Sequence, residues 1–251
     1  MRTTVYLSED VPADLSAYVS RLSREAIERH GLFTVAISGG SLPKQLSRDL
    51  VQDTTVDWSK WHVFFADERC VKLDHADSNY ALVKEELLDK VSIPSSQVYP
   101  IDDSVVDSPQ EVASRYMDCL RGLFASKDSV KVPVFDLILL GMGPDGHTCS
   151  LFPDHPILEE DVEWVSYLTD SPKPPPSRIT LTFPVLNHAK NVAFVATGAG
   201  KQEPLHRIFD LGDILPAGKV QPVTGELVWF LDEEAAKDLR GGADLQSFPR
   251  L

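Results

Sequence analysis

The sequence predicts an α/β protein: a mostly parallel open sheet with helices on both faces. Two observations carry the prediction. Short apolar runs alternate with helical patterns from one end of the chain to the other. The runs are also apolar on both faces, as strands covered by helices on each side must be. A third observation fits the same plan. Several runs stop abruptly in glycine-rich or charged turns, and open α/β sheets carry their ligands at such strand ends.

In chain order, "TTVYLS" reads as a strand and residues 12–30 as an amphipathic helix with Leu15, Val19, Leu22, Ala26 and Ile27 on one face. "LFTVAIS" (32–38) is a second strand, followed by a helix from about Leu42. "WHVFFAD" (61–67) is a third strand, with helices over 79–90 and 110–125 behind it. "VFDLILL", "EWVSYLT", "RITLTF" and "NVAFVAT" follow as strands, then a helix near 201–211, the strand "LVWFL" and a closing acidic helix. The prolines of "DSPKPPPSR" (170–178) forbid regular structure there. Strands resume at once, so a single domain over 1–251 is expected.

Composition narrows the class. The 251 residues are 43% apolar and 25% charged, which suffices for a sizeable core. No stretch approaches the roughly 18–20 apolar residues of a membrane span. "MRTTVYLSEDVP" lacks the apolar centre of a signal peptide. Cys70, Cys119 and Cys149 are odd in number and widely spaced, giving neither a disulfide framework nor a zinc motif. A cytoplasmic location is therefore expected. The net charge of -14 argues against nucleic acid and anionic membranes as partners. An anionic ligand would need a localised set of cations and helix N-termini.

Three stretches and two strand–loop junctions supply candidates. In "ISGGSLPKQL" a strand ends at Ser38, and Ser41 is a good N-cap with Pro43 in the first helical turn. The backbone N–H groups of Gly39, Gly40 and Ser41 could there converge on an anion. "FFADERCV" sets Asp67, Glu68 and Arg69 at a probable strand end. "GMGPDGHTCSLFP" spells G-x-G-x-x-G, the dinucleotide fingerprint, across Gly141, Gly143 and Gly146. That reading needs a sustained helix after the glycines, whereas Pro153 and Pro156 leave room for two turns at most, and Asp145 would oppose a diphosphate. His147 fits a general base oriented by the nearby Asp145. Ser150 and Cys149 are conceivable nucleophiles, although no G-x-S-x-G elbow is present. Asp145, His147, Asp154 and His155 match no metal motif. Last, Arg178 and Lys201 stand at strand–loop junctions, where an anion site would recruit them.

Taken together, "SGGSLPKQL", "FFADERCV", "DSNYALVKEELL", "LLGMGPDGHTCSLFPDHP", "PPPSRITLTFPVLNHA" and "VATGAGK" resemble the 6-phosphogluconolactonases, a branch of the family that includes glucosamine-6-phosphate deaminase. The resemblance runs from about residue 8 to 236 and implies a Rossmann-like sheet of the kind found in that deaminase. Deaminases continue the D-G-H loop as "IAFNEP" and carry D-E-Y. This chain has "TCSLFP" and Asp67-Glu68-Arg69, the lactonase-like pattern, with Cys149 where alanine is more usual.

The resemblance implies hydrolysis of 6-phospho-D-glucono-1,5-lactone to 6-phosphogluconate, the second step of the oxidative pentose phosphate pathway, without cofactor or metal. His147 would activate water, with Asp145 or Asp67 orienting its ring, a choice the sequence leaves open. Gly143 and Gly146 would lend N–H groups to the oxyanion. Gly39, Gly40, Ser41 and Lys201 would hold the phosphate, with Arg69 and Arg178 completing the clamp. The expected partner is this small sugar-phosphate lactone, and a monomer is the default. The alternatives are a deaminase- or isomerase-type enzyme and a non-catalytic sugar-phosphate-binding protein.

Overall fold

The helix that opens the fold shows how local chemistry sets its bounds. Asp10 caps it by accepting from the Ala13 N–H at 3.2 Å, and Gly31 ends it at φ 85°, returning its N–H to the Ile27 carbonyl. A computed structural model describes residues 2–125 and 130–249. Its first half runs β1 (Arg2–Leu7), α1 (Val11–His30), β2 (Phe33–Ile37), α2 (Leu42–Leu50), β3 (Trp61–Phe65), β4 (Asp67–Arg69), α3 (Asn79–Glu86) and α4 (Pro109–Phe124). Then come β5 (Leu137–Gly141), β6 (Val165–Leu168), β7 (Arg178–Leu181), α5 (Phe183–Leu186) and β8 (Asn191–Ala196). The chain closes with α6 (Gln202–His206), α7 (Pro216–Lys219), β9 (Glu226–Leu231), α8 (Glu233–Ala236) and β10 (Leu245–Gln246).

Seven strands pair in parallel in the order β10-β1-β9-β8-β5-β2-β3. β2, β5, β8 and β9 are buried along nearly their whole length, matching the apolar runs. Inside, Phe194 stacks on Trp229 at 4.0 Å, and each such buried side chain contributes about 1.5–3 kcal/mol. At the β3 edge, the Tyr116 hydroxyl of α4 receives the Phe65 N–H at 2.7 Å and donates back to the Phe65 carbonyl at 3.1 Å, closing the open backbone.

The winding reverses beside β2. From β1 to β2 to β3 the chain steps one way across the sheet, and from β3 to β5, β8 and β9 it steps back. Right-handed crossovers that run in opposite directions lie on opposite faces, so the loops leaving β2 and β5 diverge and open a crevice between them.

Three features depart from the sequence-based expectation. "WHVFFAD" is not one strand. Ala66 donates its N–H to Ile37 of the large sheet and accepts from the Leu181 N–H, after which Asp67–Arg69 join a second sheet. That sheet is antiparallel, in the order β4-β7-β6, so the runs at 163–169 and 178–183 leave the parallel sheet altogether. The expected helix at 201–211 is short, with Arg207–Leu211 widening into a π-helical turn, and the closing acidic helix has four residues.

Candidate active site

Three loops at the carboxyl edge of the large sheet, those after β2, β5 and β8, together with β4, α3 and β7 beside them, form one cleft. It is lined by Gly39, Gly40 and Ser41 after β2, Asp67 and Arg69 of β4, Gly143 and His147 after β5, and Arg178 and Lys201. Of the residues to which the resemblance assigns catalysis or binding, Asp145 and Gly146 stand off the lining.

The β2 turn is shaped by close approach. A Cβ on Gly39 would lie 1.9 Å from the Asn79 side-chain oxygen, so only glycine fits. Among the described residues, nothing accepts from the backbone N–H groups of Gly39, Gly40 or Ser41. Ser41 sits at the N-cap of α2, but its hydroxyl makes no capping bond and instead receives Gln45 Nε2 at 3.2 Å. The expected Ser41 cap is thus corrected: the start of α2 keeps free donors facing the cleft.

His147 is held from behind. Its Nδ1 lies 2.5 Å from Asp145 Oδ1, and its ring packs on Phe152 with centroids 4.7 Å apart. Nε2 has no partner among the described residues. A Cβ on Gly143 would lie 2.0 Å from Nδ1, so the glycine makes room for the imidazole. Burial lowers the His147 pKa, with the Lys173 charge adding to it, while Asp145 pulls the other way. Burial would raise the Asp145 carboxyl, but its bonds to His147 and Lys173 outweigh this and hold it at about 2. The choice between carboxylates is resolved by geometry. Asp67 accepts from the Ser150 hydroxyl at 2.8 Å, and Asn79 Nδ2 bonds its main-chain carbonyl at 2.9 Å.

Two expected anion contacts change role. The Gly143 N–H donates to the His147 carbonyl at 2.9 Å and the Gly146 N–H to the Gly143 carbonyl at 3.0 Å. Both are spent inside the loop, so neither is free for an oxyanion. Arg178 is partly committed. Its Nε donates to the Pro175 carbonyl at 3.0 Å and Nη2 to the Lys173 and Pro174 carbonyls at 2.9 Å. It braces the proline loop, while its Nη1 has no partner among the described residues and Arg178 still lines the cleft. Arg69 is freer: Nη1 donates to the Asp77 carbonyl at 2.8 Å, while its buried Nε is unpartnered. The two arginines face each other across β4 and β7, a repulsion that an anion would relieve. Lys201 Nζ bonds the Met142 carbonyl beside the same cleft.

The nucleophile and nucleotide readings find no support. Ser150 is fully buried and its hydroxyl is engaged by Asp67. Cys149, buried at φ 50°, has its thiol pushed up by burial. After Gly146 no α-helix follows to receive a pyrophosphate. Sequence reasoning missed Asn79 and Lys173, although both stand in quoted stretches. Asn79 is the α3 residue that fills the space left by Gly39. Lys173, in the proline loop, places Nζ 3.1 Å from both Asp145 Oδ1 and His147 Nδ1.

The profile of the family described as glucosamine-6-phosphate isomerases/6-phosphogluconolactonase matches residues 7–229. The chain is 49% identical over 243 residues to a probable 6-phosphogluconolactonase of Schizosaccharomyces pombe, spanning 94% of each chain. It is 48% identical over 246 residues to a chloroplastic probable 6-phosphogluconolactonase of Oryza sativa, covering 93% of this chain and 73% of that one. Among solved structures, the 6-phosphogluconolactonase of Thermotoga maritima superposes with a TM-score of 0.80 at 29% identity, over 92% of this chain and all of the other. That of Trypanosoma cruzi gives 0.81 at 28% identity, over 95% and 97%.

Proposed function

The chain belongs to the glucosamine-6-phosphate isomerase/6-phosphogluconolactonase family, and we propose that it hydrolyses 6-phospho-D-glucono-1,5-lactone to 6-phosphogluconate. One observation carries the chemistry. The imidazole of His147 is fixed through Nδ1, and its free Nε2 borders a cleft that also holds Arg69, Lys201 and the open amides of Gly39, Gly40 and Ser41.

A carboxylate 2.5 Å from Nδ1 requires the proton to sit on that nitrogen, which leaves the Nε2 lone pair as the base. Nε2 takes a proton from water as the water oxygen bonds to the lactone carbonyl carbon. The tetrahedral intermediate then breaks its bond to the ring oxygen, and the imidazolium returns the proton to that oxygen. Asp145 stays ionised throughout, which suits its lowered pKa. The phosphate rests at the start of α2 on the amides of Gly39, Gly40 and Ser41, with Arg69 and Lys201 as counter-charges. Arg178 acts through the loop it braces.

We read the chain as one catalytic unit, acting as a monomer in the cytosol. No helix among the described residues is long and apolar enough to cross a membrane. The direct test generates the lactone enzymatically and follows 6-phosphogluconate formation with and without the protein. Acceleration above the spontaneous rate is expected. A rate equal to the spontaneous one would refute the activity.

A further inference from the structure

We infer that Lys173 is a positioning residue for His147: from the back of the ring it binds Asp145 and so holds the imidazole neutral, with Nε2 open to the cleft. The inference rests on the general-base reading of His147 and extends it to a third side chain.

The geometry allows one assignment of protons. Asp145 Oδ1 is 2.5 Å from Nδ1, so Nδ1 carries hydrogen and donates it to the carboxylate. Lys173 Nζ lies 3.1 Å from the same Nδ1 and 3.1 Å from the same Oδ1. Three donor hydrogens and no acceptor mean that the ammonium cannot bond a nitrogen already bearing a proton. It therefore donates to Asp145 and stands beside Nδ1 as a positive charge. Two side-chain donors share one carboxylate oxygen, which the His147 backbone N–H also reaches at 3.5 Å. Each takes part of the negative charge that would otherwise stabilise an imidazolium, and the lysine charge opposes a second ring proton directly.

The lysine is built into place. Ser171 Oγ donates to the Lys173 carbonyl at 2.8 Å, Arg178 Nη2 donates to that carbonyl at 2.9 Å, and the Lys173 N–H reaches Ser171 Oγ at 3.2 Å. The Ser171 N–H closes the loop on the Pro176 carbonyl at 3.1 Å. Arg178, buried beneath, ties the carbonyls of Lys173, Pro174 and Pro175 together. Lys173 is not among the residues lining the cleft, so it acts through Asp145 and His147. The charged groups around the ring are Asp145 on its own loop, Lys173 from the proline loop and Asp67 from β4, while Lys201 is close enough to feel the Lys173 charge.

The test is an NMR titration of the His147 ring in the whole protein, compared among wild type, Lys173→Met and Lys173→Arg. Removing the charge should move the His147 midpoint upward by about one pH unit, while arginine should leave it near the wild-type value. The acid limb of kcat/KM should move with it. A ring midpoint unchanged in Lys173→Met, with the fold intact by circular dichroism, would overturn the role. Because the titration needs no turnover, it separates this inference from the proposed reaction. If His147→Ala kept full activity while the midpoint still moved, only the base assignment would fail.

Discussion

The two ends of the large sheet carry the same three side-chain types in the same contact pattern, and only one end borders the candidate active site. At the amino edge, Asp136 Oδ1 receives His30 Nε2 at 2.9 Å and Lys190 Nζ at 2.8 Å. At the carboxyl edge, Asp145 Oδ1 receives His147 and Lys173. What differs is their setting. Asp136 also accepts the Thr34 N–H at 3.0 Å and the Thr34 hydroxyl at 2.9 Å, and its carbonyl takes Asn191 Nδ2 at 2.8 Å. Its carboxylate is saturated, and it ties together α1, β2 and β8. The upper cluster leaves the His147 Nε2 free beside a cleft, at the edge where diverging loops open a crevice. His30 too keeps one ring nitrogen, Nδ1, without a partner among the described residues, so what separates the two His–Asp–Lys contacts is place: His147 lines the cleft and His30 does not.

The comparison is broken most sharply at the two aspartates. Asp145→Asn should lower kcat by on the order of 10³-fold, because the amide no longer selects the Nδ1–H tautomer. Asp136→Asn should leave kcat within about two-fold, since nothing in the lower cluster reaches the chemistry. Steady-state lactone hydrolysis checks both, and equal losses would erase the distinction. Stability should show the reverse order. Asp136→Ala removes the centre of a buried network and should cost about 3–5 kcal/mol in urea unfolding. Asp145→Ala, whose carboxylate is about a third exposed (36%), should cost about 1 kcal/mol or less.

The anion site gives a smaller effect. Arg69→Ala or Lys201→Ala should raise KM by about 10-fold, the worth of one charge-assisted hydrogen bond, with kcat little changed. A fall in kcat alone would move these residues away from the phosphate.

The smallest effect is on acid stability. Burial would raise the Asp136 carboxyl, but Lys190, Thr34 and His30 outweigh it and hold it below the usual range. Its contribution is therefore complete above the unfolded carboxylate value of about 3.9 and is lost as pH falls through the lower folded value. Wild type should lose stability more steeply than Asp136→Asn below about pH 4. Parallel curves in acid urea titrations would count against the tie.

How much of the molecule is legible in its sequence follows from sequence distance. Asp145 and His147 stand two residues apart in one glycine loop, so the order of residues alone suggests their pairing. Gly39 to Ser41 are readable as a strand-to-helix turn. Lys173 reaches the same carboxylate from 26 residues beyond His147, in a loop whose prolines announce stiffness but no direction. The lower cluster joins residues 106 and 54 positions apart and leaves no local pattern. The second sheet is hidden because "WHVFFAD" has no break before Asp67, and Ala66 changes sheets through its backbone alone. Amide use is equally invisible in the sequence: Gly143 and Gly146 look available there, yet their N–H groups are bonded within the loop.

The central claim is that the free Nε2 of His147, and not a His–Asp–Lys contact as such, performs the hydrolysis. Its most direct test compares His147→Ala with His30→Ala in the coupled lactone assay, after subtracting spontaneous hydrolysis. The account predicts that His147→Ala loses about 10²–10⁴-fold in kcat while His30→Ala keeps the wild-type rate. A His147→Ala protein that turns over lactone as fast as wild type would contradict it.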